Sequence, residues 1–266
     1  MASASVTISA DALTARFDAL RRQHRRALVC YLTAGHPDPA ASLALVRGVA
    51  AAGADVIELG VPFSDPLADG PVIQASSQQA LTHGMTLDGT LALAHEAGVD
   101  VPLVLFTYLN PLIAAGPDVL ERAAASGISG LLVTDLPVGA DPEREAWIGA
   151  GPLAFVRLVA PTTPSERMAE IGRHGRGFVY LISRLGVTGA SATLSAELPA
   201  TVARLKAATT LPVCVGFGIS TPAQARAVGK DADGVVVGSA LVSAAGRSVD
   251  DAIALVRSLR AALDEG

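Results

Sequence analysis

The segment Glu58-Leu-Gly-Val-Pro-Phe-Ser-Asp-Pro-Leu-Ala-Asp-Gly-Pro71 gathers the residues best suited to moving protons. Glu58 sits in an apolar run, Val56-Ile57-Glu58-Leu59-Gly60, and a proline-rich loop with two further carboxylates, Asp65 and Asp69, follows at once. A carboxylate inside a run that reads as a buried strand is costly unless it is paired or used. Burial raises its pKa and suits it to proton transfer near neutral pH. Salt-bridged to an arginine, the same residue would be structural. Asp69 precedes Gly70-Pro71, a natural helix start, so capping and acid/base work are both open to it. Asp65, before Pro66, reads as a turn residue. The segment proposes an acid/base pair at the mouth of an α/β fold.

The elements that would position these groups are legible as a repeat. Short Val-, Leu- and Ile-rich runs occur at Ala27–Thr33, Asp55–Gly60, Pro102–Tyr108, Gly130–Leu136, Leu153–Val159, Gly177–Ser183, Pro212–Gly218 and Gly234–Leu241. They mostly do not alternate with polar residues, as expected of strands covered on both faces. Ala-rich segments at helical spacing lie between them, among them Ala40–Ala52, Asp118–Ser126, Ser165–Arg173, Leu198–Ala208 and Pro222–Val228. Strand and helix alternating about eight times fits a (β/α)8 TIM barrel of roughly 250 residues. An open doubly wound sheet uses the same units, but no Gly-x-Gly-x-x-Gly follows the first strand. An extra N-terminal helix, roughly Ala10–Arg25, carries Leu13, Phe17 and Leu20 as an apolar stripe and is expected to plug the barrel bottom. With no linker or low-complexity stretch, residues 1–266 read as a single TIM-barrel domain.

In such a barrel the chemistry gathers at the C-terminal strand ends. Those ends read Tyr31-Leu-Thr-Ala-Gly35, Glu58 with its loop, Phe106-Thr-Tyr108-Leu-Asn110, Thr134-Asp135-Leu-Pro137, Tyr180 to Arg184 with Gly186-Val-Thr-Gly189, Gly216-Phe-Gly-Ile-Ser220 and Gly238-Ser239. Small residues in the last three loops would let backbone N–H groups approach an anion, and a helix opening at Gly238-Ser239 would aim its free N–H groups at it. A phosphate site is the reading; the glycines as mere turn formers are the alternative. Asp135 could cap a helix or orient a partner such as Tyr180. The loop from Arg184 to about Pro199, rich in Gly, Ser, Thr and Ala, is expected to be mobile and to close on ligand.

Bulk properties narrow the classes. The chain has 266 residues, 50% hydrophobic and 17% charged, which allows a sizeable core and disfavours disorder. A net charge of -5 argues against a nucleic-acid partner. No secretory leader is recognisable, and no apolar stretch approaches the ~20 residues that cross a bilayer. Cys30 and Cys214 both lie in apolar runs and read as reduced buried thiols, so a cytoplasmic protein without membrane contact is expected. The five histidines do not cluster and no metal-ligand spacing is present, so no metal is expected. Neither a Gly-x-Ser-x-Gly elbow nor a Walker A loop occurs, and Lys206 and Lys230, the only lysines, do not fall on strands.

Taken together, these motifs resemble the tryptophan synthase α subunit family along nearly the whole chain. The fourteen-residue segment ending at Pro71 carries most of the resemblance; the glycine pieces are shared with many phosphate-binding barrels. The family often has Pro where this chain has Cys30, and His36 stands at a turn position that varies. The resemblance implies retro-aldol cleavage of indole-3-glycerol phosphate to indole and glyceraldehyde 3-phosphate. Glu58 matches the general acid/base and Asp69 the carboxylate that binds the indole N–H. Tyr31, Ile73 and Phe106 would line the indole slot, and Gly189, Gly218, Gly238 and Ser239 would hold phosphate. Thr188 resembles a lid threonine, and Asp135 and Tyr180 would support the site. The resemblance also implies a pyridoxal-phosphate β subunit as partner, in a heterotetramer of two alpha and two beta chains, contacted through the strand-two and strand-six loops. The cofactor belongs to that partner and none is expected in this chain. A stand-alone lyase releasing free indole is one alternative; a non-catalytic barrel that only activates its partner is another, and retention of both Glu58 and Asp69 argues against the latter. An indole-glycerol-phosphate synthase would need a strand lysine that the chain lacks.

Overall fold

The computed structural model describes residues 10–182, 196–216 and 218–265. Eight parallel strands form a closed barrel in sequence order. They are β1 (Ala27–Thr33), β2 (Val56–Gly60), β3 (Leu103–Thr107), β4 (Ile128–Val133), β5 (Ala154–Val159), β6 (Val179–Ile182), β7 (Val213–Gly216) and β8 (Gly234–Val237). The barrel closes where β1 pairs with β8, from Ala27 opposite Gly234 to Cys30 opposite Val237. Around it, in chain order, run α1 (Ala10–Arg22), α2 (Pro39–Ala51), α3 (Pro71–Thr82), α4 (Leu87–Ala97), α5 (Leu109–Ala115) and α6 (Val119–Ala125). After these come α7 (Pro142–Ala150), α8 (Ser165–Arg173), α9 (Leu198–Ala208), α10 (Pro222–Gly229), α11 (Ser239–Ala245) and α12 (Val249–Asp264).

Successive strand residues face opposite sides, which splits each apolar run into two cores. Leu28, Cys30 and Leu32 of β1 join Ile57, Leu59, Leu103 and Leu105 in the layer between barrel and helices. Ala27 and Val29 join Val56, Val104, Leu132, Ala154 and Val236 inside the barrel. The expected plug is present: Leu13, Phe17 and Leu20 of α1 are buried in this inner cluster, and Phe17 meets Phe178 at 5.4 Å between ring centroids. Gly177 makes room for it, since a Cβ there would come within 2.4 Å of Leu13. The helix is shorter than its apolar pattern suggests, ending at Arg22, because His24 takes a left-handed φ of 54° and turns the chain into β1.

Helix starts follow their local chemistry. Asp38 accepts from the Ala41 N–H ahead of Pro39, and Thr221 with Gln224 forms a reciprocal cap ahead of Pro222. Gly70 caps α3 without a side-chain bond, so Asp69 is not spent as a cap. The eighth apolar run divides: β8 stops at Val237, and Ser239 opens α11, whose Leu241 and Val242 are helical core rather than strand. No helix among the described residues is long and apolar enough to cross a membrane.

Candidate active site

The register of β1 on β2 sets Tyr31 directly beside Glu58. Both lie at inward-facing positions near the C-terminal barrel mouth, two residues beyond Val29 and Val56 of the inner core. Glu58 is fully buried, and neither carboxylate oxygen has a hydrogen-bond partner among the described residues. Burial pushes its pKa up to about 8, with no neighbouring cation or donor among the described residues to offset the cost of desolvating the carboxylate. The structural alternative, a salt-bridged Glu58, is therefore absent: no ion pair among the described residues includes it.

Asp69 reaches the same cavity from the β2–α3 loop. Its Oδ2 accepts a hydrogen bond of 2.9 Å from the Tyr108 hydroxyl at the end of β3. Burial raises its pKa to about 6, and the Tyr108 bond, which favours the carboxylate, works against that rise. The same hydroxyl accepts from the Ala68 N–H at 3.0 Å, and the Tyr108 ring packs on Phe63 at 5.0 Å.

The cavity above the barrel has about 280 Å³ of open volume. Tyr31, Phe106, Val72 and Ile73 form an apolar slot, with Tyr31 edge-on to Phe106 at 5.1 Å and Val242 of α11 packed behind Ile73. Tyr180 closes another side. The hydroxyls of Tyr31 and Tyr180 lie over Gly60 and Gly216, where a Cβ would approach them to 2.1 and 2.2 Å. Those two glycines exist to admit the phenols. Gly218, Ile219, Ser220, Gly238, Ser239 and Ala240 make the remaining wall, where the β7 and β8 loops meet α11. Gly218 takes φ +85°, a turn that L side chains resist.

Of the residues singled out in the sequence, Glu58, Asp69, Tyr31, Ile73, Phe106, Tyr180, Gly218, Gly238 and Ser239 all line this one cavity. Asp135 does not. It is exposed, and its Oδ1 accepts the Leu109 N–H at 2.8 Å, capping α5 from the end of β4. The helix needs that acceptor because its own N-cap, Tyr108, offers none. Thr188, Gly189 and the loop from Arg184 to residue 195 lie outside the described residues. Sequence reasoning assigned no role to Tyr108, although it stands at a strand end in a polar–aromatic cluster. It also passed over Val72 and Ser243, whose position on the wall depends on how α3 and α11 are laid against the barrel. Among the described residues no group of three or more His, Cys, Asp or Glu is placed to share a metal ion.

The arrangement can bind a flat apolar group and present one protonated and one ionised carboxyl group to it. Comparison with known proteins points the same way. A family profile described as "Tryptophan synthase alpha chain" matches residues 17–265. A tryptophan synthase alpha chain from Caulobacter sp. (strain K31) is 48% identical over 237 residues, 87% of this chain and 86% of the relative. The structure superposes on Mycobacterium tuberculosis tryptophan synthase with a TM-score of 0.88 at 39% identity, covering 96% of this chain and 98% of the other. Tryptophan synthase subunit alpha from Legionella pneumophila matches with a TM-score of 0.87 at 34% identity, covering 96% and 99%.

Proposed function

Since the chain belongs to the tryptophan synthase alpha chain family, we propose that its barrel-mouth cavity cleaves indole-3-glycerol phosphate to indole and glyceraldehyde 3-phosphate. As the alpha component of tryptophan synthase it is a carbon–carbon lyase of tryptophan biosynthesis, and its partner is the beta subunit. The observation that carries the assignment of roles is Glu58, a fully buried carboxyl group with no partner among the described residues, protonated at neutral pH and facing an apolar slot.

In this reading the indole ring lies in the slot of Tyr31, Phe106, Val72 and Ile73, with Tyr180 beside it. Protonated Glu58 delivers its proton to indole C3. The ring then carries an iminium-like positive charge, and the Asp69 carboxylate stabilises it by accepting the indole N–H. The C3–side-chain bond breaks, its electron pair restoring the aromatic ring. The adjacent hydroxyl becomes the aldehyde as its proton passes to the Glu58 carboxylate, which returns the site to its starting state. Two carboxyl groups held at about 8 and about 6 suit these roles: at pH 7 the first keeps its proton and the second has lost it. Gly218, Gly238 and Ser239 would hold the phosphate, with Gly189 and the lid residue Thr188 completing the site. No step requires a cofactor in this chain; pyridoxal phosphate is assigned to the beta subunit. A single domain over the whole chain and a cytoplasmic location belong to the same reading, the latter supported by Cys30 and Cys214 being free buried thiols.

The test is indole release from indole-3-glycerol phosphate, with and without a beta subunit. Glu58→Gln is expected to lower turnover about 10³-fold while leaving the fold and phosphate binding intact. Near-normal turnover in that variant would remove the proton-transfer role.

A further inference from the structure

Tyr108 makes three separate contacts with one ten-residue loop. Its ring packs on Phe63 near the loop's start, its hydroxyl accepts the Ala68 N–H, and the same hydroxyl donates to Asp69 near its end. The loop's first residue is tied to β3 by the Val61 N–H to the Phe106 carbonyl, and beyond Phe63 it is otherwise held by itself and by α3: Leu67 N–H to the Asp65 carbonyl, Asp69 N–H to the Pro66 carbonyl, and the Gln74 amide to the Pro66 and Asp69 carbonyls. Tyr108 belongs to the barrel frame. Asp135 pins the peptide that follows it through the Leu109 N–H, and the Thr107 hydroxyl donates to its carbonyl. The residue itself is buried.

We propose that Tyr108 is the positioning residue of the acid pair: it holds the loop to the barrel and keeps Asp69 aimed into the cavity as a carboxylate. A hydroxyl that accepts from a backbone N–H has its own proton committed to the other side. The Ala68 N–H therefore directs the Tyr108 proton onto Asp69, and the bond favours the ionised form. Among the described residues, the titratable groups around Asp69 are Glu58 on β2, Tyr31 on β1 and Tyr180 on β6, besides Tyr108 itself. Burial pushes both cavity tyrosines upward, so they stay neutral, and Glu58 is held protonated by its own burial. Among the described residues, Tyr108 is thus the neighbour that favours the Asp69 carboxylate against its burial.

This inference rests on the assignment of Asp69 made above, and the experiment separates the two. The full chain is assayed on indole-3-glycerol phosphate from pH 5 to 9 as wild type, Asp69→Asn, Tyr108→Phe and Phe63→Leu, and amide hydrogen exchange of residues 61–70 is measured on the same proteins. Tyr108→Phe keeps the ring and loses the hydroxyl. Its acid limb in kcat/KM is expected to move up by about one pH unit, so that kcat/KM falls about threefold near pH 6.5 and about tenfold near pH 5, with the Ala68 amide exchanging faster. Phe63→Leu keeps the hydroxyl, so its limb should stay in place while loop exchange quickens. A Tyr108→Phe profile that overlays wild type, or one lowered uniformly with its limb unmoved, overturns the proposal, as does an equal limb shift in Phe63→Leu. Asp69→Asn at wild-type activity sinks the assignment of Asp69 instead.

Discussion

Glu58 shows how one residue's type and burial can set its own protonation state. In an unfolded chain its pKa lies near 4.5; in the barrel burial lifts it to about 8. The folded form therefore holds a proton that the unfolded form releases between those values. Its contribution to stability is fully present below about pH 4.5 and is lost as pH rises through about 8. Glu58→Gln has no such titration. Against wild type, the variant should gain on the order of 4 kcal/mol in relative stability between pH 5 and pH 9. Denaturant melts of both proteins at the two pH values check this; parallel pH dependence would mean that Glu58 does not face the apolar interior. At this scale the sequence was informative, because a charge in an apolar strand is conspicuous. Asp69 was ambiguous, because capping and catalysis use the same side chain. The fold removes the capping reading, since Gly70 caps α3, and pairs Asp69 instead with Tyr108, 39 positions away in the chain.

At the level of elements, the slot is shaped by pairs formed across strands. Gly60 on β2 lies under the hydroxyl of Tyr31 on β1, and Gly216 on β7 under that of Tyr180 on β6. A methyl group at Gly60 would come within 2.1 Å of the Tyr31 oxygen, so the ring must swing into the cavity. We expect Gly60→Ala to raise KM for indole-3-glycerol phosphate about tenfold, and Tyr31→Phe in the same chain to recover part of the loss, since it removes the atom that clashes. Steady-state kinetics on the single and double variants decide it; an unchanged KM in Gly60→Ala would show that the phenol does not bound the substrate slot. Alternation inside strands was hidden in the sequence because both faces of every strand are apolar, one against α1 and the inner core, the other against the helices. Asp135 was misassigned to the site for a related reason. A strand-end aspartate can turn inward to ligand or outward to the next helix, and here the uncapped N–H of Leu109 takes it.

The whole molecule is closed by its last helix. Arg260 of α12, almost wholly buried, pairs with Asp55 at 2.9 Å and donates to the Arg26 carbonyl at 3.0 Å. Asp55 also accepts the Leu28 N–H at 2.9 Å. One ion pair thus joins the entries to β1 and β2 to the C-terminus, at the barrel end opposite the cavity. Removing one partner strands the other as a buried charge, so Arg260→Met should cost about 3–5 kcal/mol and lower Tm by roughly 10 °C. Turnover per folded molecule should be unchanged below the transition. Calorimetry beside the indole assay tests both halves; a lost kcat with an unmoved Tm would place Arg260 in the chemistry rather than the closure.

The sequence alone determined the alternation of strands and helices, the plugging helix and the run from Glu58 to Pro71. Each is a local property: periodicity, turn residues and a misplaced charge are all written within a few adjacent positions. The tertiary structure alone decided that Tyr108 meets Asp69, which of its two open readings Asp135 takes, and that two glycines make room for two phenols. Those facts depend on which strand ends become neighbours when the barrel closes, and distances between residues far apart in the chain are set by register and curvature rather than by any nearby pattern.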